Sequence, residues 1–498
     1  MSEDIGHHCA VVGIQPDAED VHLPRDVAKV LQANSNRGKA GFGITMAARE
    51  QITTIAKEKG LAGLQTIIDE PSASELGFAC GQGQVRYVTS GTEILRHRQP
   101  FTFDAAGRSW SFSFNGNIAN YDELRKELSE QLLQDVDTDA IRVLLQQGIR
   151  LWPQNMAQVF RFLEEHLDGC FNIVLMDDEG NMWGYRDGHG FRPLVTSGNI
   201  IASEDSAIRD AFPEQDFDIA DISPGELVTK LKGADPVSLQ VMEGRNVSRC
   251  FFEWVYFSRL LSKLDGVQVQ EAKQGFASAL ARREKNGELP AGATVIGVPD
   301  SGIAGGQQFA KDLDLPYVQA ITRNPEAEGR SFLLGTREER IAFARIKYLF
   351  PDGQIAGKDI VLCEDSVVRG TTMEVLVQQL WDMGANSIHL RVSCPPIIAP
   401  CFYGIDFPTL RELLVGKYRN AILQNGGDLT QTLERLLAQE LGLTSIRFLS
   451  KEDMLSVFEK LGLSRDEFCT ACVDGTPEGY PTPAGKRRFA EILSEKSV

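Results

Sequence analysis

A chain of 498 residues, 42% apolar and 24% charged, has room for two or three domains and the balance of an ordinary globular protein. Its net charge of −18 excludes a surface built for nucleic acid, no apolar run reaches membrane-spanning length, and the first eight residues lack the apolar core of a secretion signal. The expectation is a cytoplasmic protein without nucleic-acid or membrane partners, whose nine cysteines serve as thiols, a nucleophile or metal ligands rather than disulfides.

Cys9-Ala10-Val11-Val12-Gly13-Ile14 is a short strand-like run that opens on a cysteine. Alone, such a cysteine is most often a buried thiol. Three later stretches change the weighting. Residues 36–44 form a glycine-rich turn into a strand, residues 84–91 place Arg86 close to hydroxyls, and Phe114-Asn115-Gly116-Asn117 follows an alternating Ser/Phe strand and precedes a helix over residues 122–133. In this order they resemble the N-terminal-nucleophile glutamine amidotransferase domain.

The resemblance implies that Cys9, once residues 1–8 are removed, uses its own α-amine as base and attacks a glutamine amide. Asn115 and the Gly116 N–H then form the oxyanion hole, Arg86 clamps the α-carboxylate, and Asp139 takes the α-ammonium. Ala10 stands where the family usually has glycine, Asn36 and Gln84 where it usually has histidine, and Lys39 where glutamine is common. The domain continues through strands near residues 170–176 and 182–185 and the turn Arg186-Asp187-Gly188-His189-Gly190, where His189 reads as a turn residue rather than a catalyst. A polar stretch at residues 241–249 marks a boundary.

The second half alternates strands with helices, which implies a mostly parallel sheet with ligands at the strand carboxyl ends. Strands are expected at residues 295–298, 317–321, 359–362 and 387–392, and helices at residues 269–283 and 373–383. The decisive stretch is Val361-Leu362-Cys363-Glu364-Asp365-Ser366-Val367-Val368-Arg369-Gly370-Thr371-Thr372. Glu364 and Asp365 suit vicinal hydroxyls of a sugar and a divalent cation, while Gly370, Thr371 and Thr372 at a helix start suit a phosphate. A plain strand-to-helix loop with a hydroxyl cap is the simpler alternative. Arg337, Arg340, Arg345 and Lys347 form a basic segment that could equally be a solvated helix face.

The decisive stretch closely resembles the phosphoribosyl-pyrophosphate (PRPP) loop of type I phosphoribosyltransferases. From Cys9 to Pro483 the chain resembles the glutamine phosphoribosylpyrophosphate amidotransferase family, with motifs in family order. That implies an α+β glutaminase sandwich with αββα layers over residues 9–245, then an α/β type I phosphoribosyltransferase domain over residues 246–480, and a tail at 481–498. It further implies PRPP contacts from Ser366, Arg369 and a mobile loop carrying Arg340 and Lys347. Mg²⁺ is expected near Ser301, Glu364 and Asp365, together with purine-nucleotide effectors and a homo-oligomer, dimer or tetramer. A PRPP- or nucleotide-sensing protein with weakened glutaminase turnover is the other reading, resting on Ala10, Asn36 and Gln84.

Cys250, Cys401 and the pair Cys469-Thr470-Ala471-Cys472 suit a metal, and a C-x2-C pair alone does not separate zinc from an iron–sulfur cluster. The Bacillus-like branch of the family implies a 4Fe–4S cluster there. Cys80, Cys170, Cys363 and Cys394 read as core residues.

Overall fold

The computed structural model describes residues 9–70, 76–86, 99–243, 246–284, 289–327, 342, 345–351, 353–405 and 407–495. The leader and Arg340 lie outside the described residues. In the first half, strands β1 (Ala10–Ile14), β2 (Gly41–Ala48), β3 (Gln51–Lys59), β4 (Cys80–Arg86), β5 (Phe101–Ala105), β6 (Arg108–Ile118), β7 (Gly169–Asp177), β8 (Met182–Arg186), β9 (Val195–Ser197), β10 (Ile200–Ala202), β11 (Ala220–Asp221), β12 (Glu226–Lys230) and β13 (Val237–Gln240) divide between two antiparallel sheets. One runs β11-β9-β10-β1-β4-β2-β3 and the other β13-β12-β8-β7-β6-β5.

Alternation along each strand builds the layers. Val11, Ala47, Val174, Met176, Met182 and Ile201 fill the space between the sheets. Ala10, Val12, Phe42 and Ile44 face the other way, onto helix Leu23–Ala33, whose Leu23, Val27, Val30 and Leu31 recur on one face. Phe112, Phe114, Ile173 and Tyr185 pack under helices Asp137–Leu151 and Met156–His166. The result is the expected helix–sheet–sheet–helix order.

The second half carries β14 (Arg249–Cys250), β15 (Lys263–Leu264), β16 (Val267–Gln268), β17 (Thr294–Gly297), β18 (Thr322–Arg323), β19 (Tyr348–Leu349), β20 (Asp359–Glu364), β21 (Ser387–Val392), β22 (Ser445–Phe448) and β23 (Phe468–Cys469). Strands β17-β20-β21-β22 form one parallel sheet. Ile360, Val361 and Leu362 are buried on both faces, as a helix-covered parallel strand requires. The expected strand at residues 317–321 is reduced to a bridge between Tyr317 and Val295, beyond which the Gln319 side-chain amide donates to the carbonyls of Gly297 and Ile321.

The halves share one core. Ala119, Cys170 and Phe191 of the first half belong to the apolar cluster of the second. The stretch expected as a tail is a helix, Pro483–Glu495, that returns to the first half: Ala484 N donates to Asp168 Oδ2 at 2.8 Å, and Arg487 pairs with Glu123. No helix among the described residues is long and apolar enough to cross a membrane.

Candidate functional site

Strand register assembles the first site. Ala10 lies opposite Val85 and Gly41 opposite Arg86, so continuing β1 back by one residue sets Cys9 beside Arg86. Val11 points between the sheets, and Cys9, two residues away, shares that face. On β6, Ser111 and Ser113 reach across to Thr45 and Gln82 at 2.9 and 3.0 Å, so Asn115 also faces the inter-sheet space. Asn115 Nδ2 is buried and has no hydrogen-bond partner among the described residues. A buried donor left open is costly unless something binds it, and an oxyanion would. Position 116 admits only glycine, since a Cβ there would lie 1.9 Å from the Cys170 carbonyl oxygen.

Asp139 is a correction. Its carboxylate is buried and fully engaged: Oδ2 accepts from Leu133 N at 2.6 Å and Gln134 N at 3.0 Å, while Oδ1 accepts from Arg142 Nε. Already holding three donors, it presents no exposed oxygen to a ligand ammonium. Asp137, at the helix start, is the acid that feels Arg86 instead. Burial raises its carboxyl, and N–H donation from Thr138 and Ile118 with the Arg86 charge offsets part of that rise.

The unusual Asn36 and Gln84 are both engaged by structure. Asn36 Nδ2 donates to Glu204 Oε1 at 2.9 Å and to the Phe257 carbonyl at 3.1 Å, and Gln84 Nε2 donates to the Phe114 carbonyl at 2.6 Å.

The second site is an open cleft of about 560 Å³, counted with the solvent at its mouth, at the carboxyl ends of β17 and β20, lined by Tyr256, Ser301, Arg323, Lys347, Glu364, Asp365, Ser366 and Thr372 among others. Gly370, at φ 83°, turns the chain into helix Thr371–Asp382, whose first-turn N–H groups favour an anion at that end. Ser366 Oγ donates to Asp365 Oδ1 at 2.8 Å, Asp365 Oδ2 is buried with no hydrogen bond of good geometry among the described residues, and the nearby Ser301 hydroxyl favours the charged carboxylate. Both acids are held above the ordinary carboxyl range by burial, Glu364 further by the Asp365 charge, and Lys273 works against the rise at both. Two crowded carboxyls are the donor set that a divalent cation and a sugar diol require.

Sequence reading missed Lys273 and Arg323. Lys273 is buried in helix Val269–Arg282 and donates to the carbonyls of Val255 at 2.7 Å and Ser301 at 3.4 Å. Arg323 lines the cleft and pairs with Asp300 at 2.8 Å. Arg369, like Gly370 and Thr371, is not among the cleft-lining residues, and its Nε donates to Glu412 Oε2 at 3.0 Å. It fastens the loop from behind, where Leu414 N also donates to the Val368 carbonyl at 2.8 Å.

Four thiols of the second half gather where it meets the first, with Cys250 N donating to the Phe191 carbonyl at 3.0 Å. Cys250 pairs with Cys469 across β14 and β23, and Ile398 and Ala399 donate N–H to the Cys472 carbonyl at 2.9 and 3.0 Å, bringing the Cys401 segment alongside. Burial pushes the Cys250 thiol up to about 12 and the Cys472 thiol well above its usual range, and the other three thiols add to the rise at Cys472. Among the described residues no three His, Cys, Asp or Glu side chains are grouped to hold a single metal ion.

An amide-hydrolysing sandwich and a sugar-phosphate cleft on one chain define a two-site enzyme that takes nitrogen at one centre and uses it at another. Residues 86–210 match the glutamine amidotransferase domain family. The amidophosphoribosyltransferase of Methanothermobacter thermautotrophicus is 31% identical over 490 residues, covering 96% of each chain. That of Archaeoglobus fulgidus is 31% identical over 474 residues, 93% of this chain and 96% of its own. The chain belongs to the amidophosphoribosyltransferase family. Among solved structures, glutamine PRPP amidotransferase from B. subtilis complexed with ADP and GMP superposes with a TM-score of 0.78 at 28% identity, covering 96% of this chain and 98% of that one. A structure described as the allosteric regulatory enzyme of purine biosynthesis gives 0.79 at 28% identity, with 96% and 97% covered.

Proposed function

We propose that the chain makes 5-phosphoribosylamine, glutamate and pyrophosphate from glutamine, PRPP and water, the first step of de novo purine synthesis. The observation that carries this reading is a pair of buried polar atoms without a hydrogen bond among the described residues, Asn115 Nδ2 in one half and Asp365 Oδ2 in the other, each suited to a different ligand. In the glutaminase half, residues 9–245, the Cys9 sulfur attacks the amide carbon after removal of residues 1–8 frees its α-amine to take the thiol proton. Asn115 and the Gly116 N–H receive the oxyanion, ammonia leaves, and water releases glutamate from the thioester. Arg86 and Asp137 hold the two charged ends of glutamine.

In the transferase half, residues 246–480, Glu364 and Asp365 accept hydrogen bonds from the ribose hydroxyls, while Gly370, Thr371 and Thr372 hold the 5′-phosphate. Lys347, Arg323 and Ser301 face the pyrophosphate, and Arg340 would join from a loop closing over PRPP. Ammonia attacks the ribosyl C1 as its bond to the pyrophosphate oxygen breaks. Mg²⁺ bound at Ser301, Glu364 and Asp365 would supply charge neutralisation of the leaving group. Both activities are tested together: purified protein should release glutamate and pyrophosphate in equal amounts when given glutamine and PRPP, and pyrophosphate alone when given ammonia and PRPP. Absence of both would sink the reading. The sensing alternative loses its ground, because Asn36 and Gln84 are absorbed into hydrogen bonds of the fold.

The glutamine clamp yields a sharper test. Asp137→Asn removes a charge-assisted contact worth about 1.5–3 kcal/mol and should lower kcat/KM for glutamine roughly 10- to 100-fold, with synthesis from ammonia intact. Asp139→Asn should instead lower stability by about 1–3 kcal/mol, read as a shift in denaturant midpoint, with KM for glutamine little changed. The opposite pattern would restore Asp139 to the site.

Cys250, Cys401, Cys469 and Cys472 would hold a 4Fe–4S cluster. A cubane is wider than one ion, so its thiolates stand further apart than those of a zinc site. Donation from Tyr403 N to Cys401 Sγ at 3.3 Å and the nearby Arg192 guanidinium suit an anionic cluster. When bound it would tie three distant segments together and support folding. Anaerobically prepared protein should contain roughly four iron and four sulfide per chain and absorb broadly in the visible. Colourless protein with zinc or no metal would remove the cluster. Purine nucleotides as effectors, a homo-oligomer and a cytoplasmic location complete the proposal, the first supported by the ADP and GMP in the B. subtilis structure.

A further inference from the structure

The strand-to-helix loop at residues 365–370 is gripped by a segment that the proposed reaction does not use, residues 409–414. Glu412 is its hub. Its Oε2 accepts from Arg369 Nε at 3.0 Å and Nη2 at 2.5 Å, while its Oε1 accepts from Thr409 N and Thr409 Oγ1 at 2.9 Å each. Thr409 and Glu412 thereby close a capping box over the short turn Leu410–Glu412. One carboxylate oxygen serves the loop and the other serves the segment.

Two further contacts complete the grip. Leu414 N donates to the Val368 carbonyl at 2.8 Å, and the Leu414 side chain lies so close to Gly370 that a Cβ there would come within 3.1 Å of it. Residues 368, 369 and 370, the last three before the helix start, are thus each held by Glu412 or Leu414. The Arg369 side chain is 8% exposed and that of Glu412 21%, so the pair is partly shielded from water and stronger than a surface pair. Yet Arg369, Glu412 and Leu414 are not among the residues lining the cleft, whereas Val367, Val368 and Thr372 are. Glu412 therefore reaches a bound sugar phosphate only through the loop. A pair that merely attached residues 409–414 to the body would not need to seize the residues on which the direction of the helix-start N–H groups depends, with Gly370 at φ 83° as their pivot.

We infer that Glu412 is a positioning residue for the sugar phosphate: by holding Arg369 against Thr409 it fixes residues 368–370, and with them the N–H groups at the start of helix Thr371–Asp382, in the geometry that takes the 5′-phosphate. A displacement of about half an ångström at such a site is already costly. The arrangement is sensitive to a single atom. Glutamine has one acceptor oxygen where glutamate has two, so Glu412→Gln can serve Arg369 or Thr409 but not both, and it turns an N–H₂ toward the donors of the other. The pyrophosphate-facing groups Ser301, Arg323 and Lys347 stand on other segments, ahead of helix Gly302–Asp312 and at strands β18 and β19, and should not feel the change.

The inference rests on the proposed placement of PRPP, and the experiment separates the two. Ammonia-dependent synthesis by the full-length protein is measured against PRPP concentration and with two inhibitors, ribose 5-phosphate, which carries the 5′-phosphate alone, and inorganic pyrophosphate, which represents the opposite end. In Glu412→Gln the PRPP KM and the ribose 5-phosphate inhibition constant should each rise roughly tenfold, while kcat, the pyrophosphate inhibition constant and glutamine hydrolysis without PRPP stay within about twofold of the parent. Inhibition constants do not depend on how much of the sample is folded, so lost stability alone leaves them unmoved. If Glu412→Gln yields no folded protein, Glu412→Asp, which keeps the charge but is too short to span Arg369 and Thr409, is read in the same way. No rise in the ribose 5-phosphate constant, or an equal rise for both inhibitors, overturns the positioning role. A parent inhibited by pyrophosphate but not by ribose 5-phosphate overturns the placement of the 5′-phosphate at this loop, and the role of Glu412 with it.

Discussion

Cys9→Ala should lower glutamine-dependent synthesis at least about a thousandfold and leave ammonia-dependent synthesis near the parent value, because it deletes the nucleophile without touching the second site. The remaining groups, Asn115 and Arg86, can still bind glutamine but have nothing to form a bond with its amide carbon. Little structural loss is expected. Cys9 stands at the mouth of the sandwich, is only partly buried, and belongs to none of the apolar cores. The same loss should follow from blocking removal of residues 1–8, since a chain amide cannot accept the thiol proton. Mass spectrometry of the active protein together with both assays checks the pair. A chain that retains its first residues and hydrolyses glutamine at the parent rate would end the N-terminal-nucleophile mechanism here.

The second large effect is at Asp365. Asp365→Asn should raise the PRPP KM roughly 10- to 100-fold, measured with ammonia as nitrogen source so that the glutaminase half is out of the comparison. The carboxylate lines the cleft and accepts from Ser366 on one oxygen, and an amide cannot keep both oxygens as acceptors. The variant also leaves Lys273 with one negative neighbour fewer at the cleft floor. Glutamine hydrolysis without PRPP should be unaffected. PRPP affinity equal to the parent would show that the acid pair does not meet the ribose.

Much of this was legible in the chain because the motifs are local. A strand, two acids, a small-residue turn and a helix start lie within a dozen residues, and their adjacency in sequence is their adjacency in space. Asp137 and Asp139 show where that stops. Two positions apart at a helix start, they sit about 200° apart around the axis, and only the loop folding back at Leu133 and Gln134 decides which one is consumed. The partner of Arg369 was hidden for a similar reason, since Glu412 is separated from it by 43 residues and no local spacing announces it. Lys273 reads as one more charge on an amphipathic helix until the acids of β20 are placed beside it. The buried quartet of Arg37, Arg192, Glu204 and Glu253, joined by ion pairs, is wholly tertiary.

The return of helix Pro483–Glu495 to the first half has a consequence for the order in which the protein can be made. The glutaminase half leaves the ribosome before the transferase half, yet the Asp168 carboxylate, the Ala119 carbonyl and the Glu123 carboxylate accept from Ala484, Arg488 and Arg487, which follow them by 316, 369 and 364 residues. Arg37 likewise waits for Glu253, and Phe191 waits for Tyr403 to stack on it at 4.5 Å. The nitrogen-releasing half is therefore finished last although it is begun first, and its final contacts form only once the acceptor half has been translated.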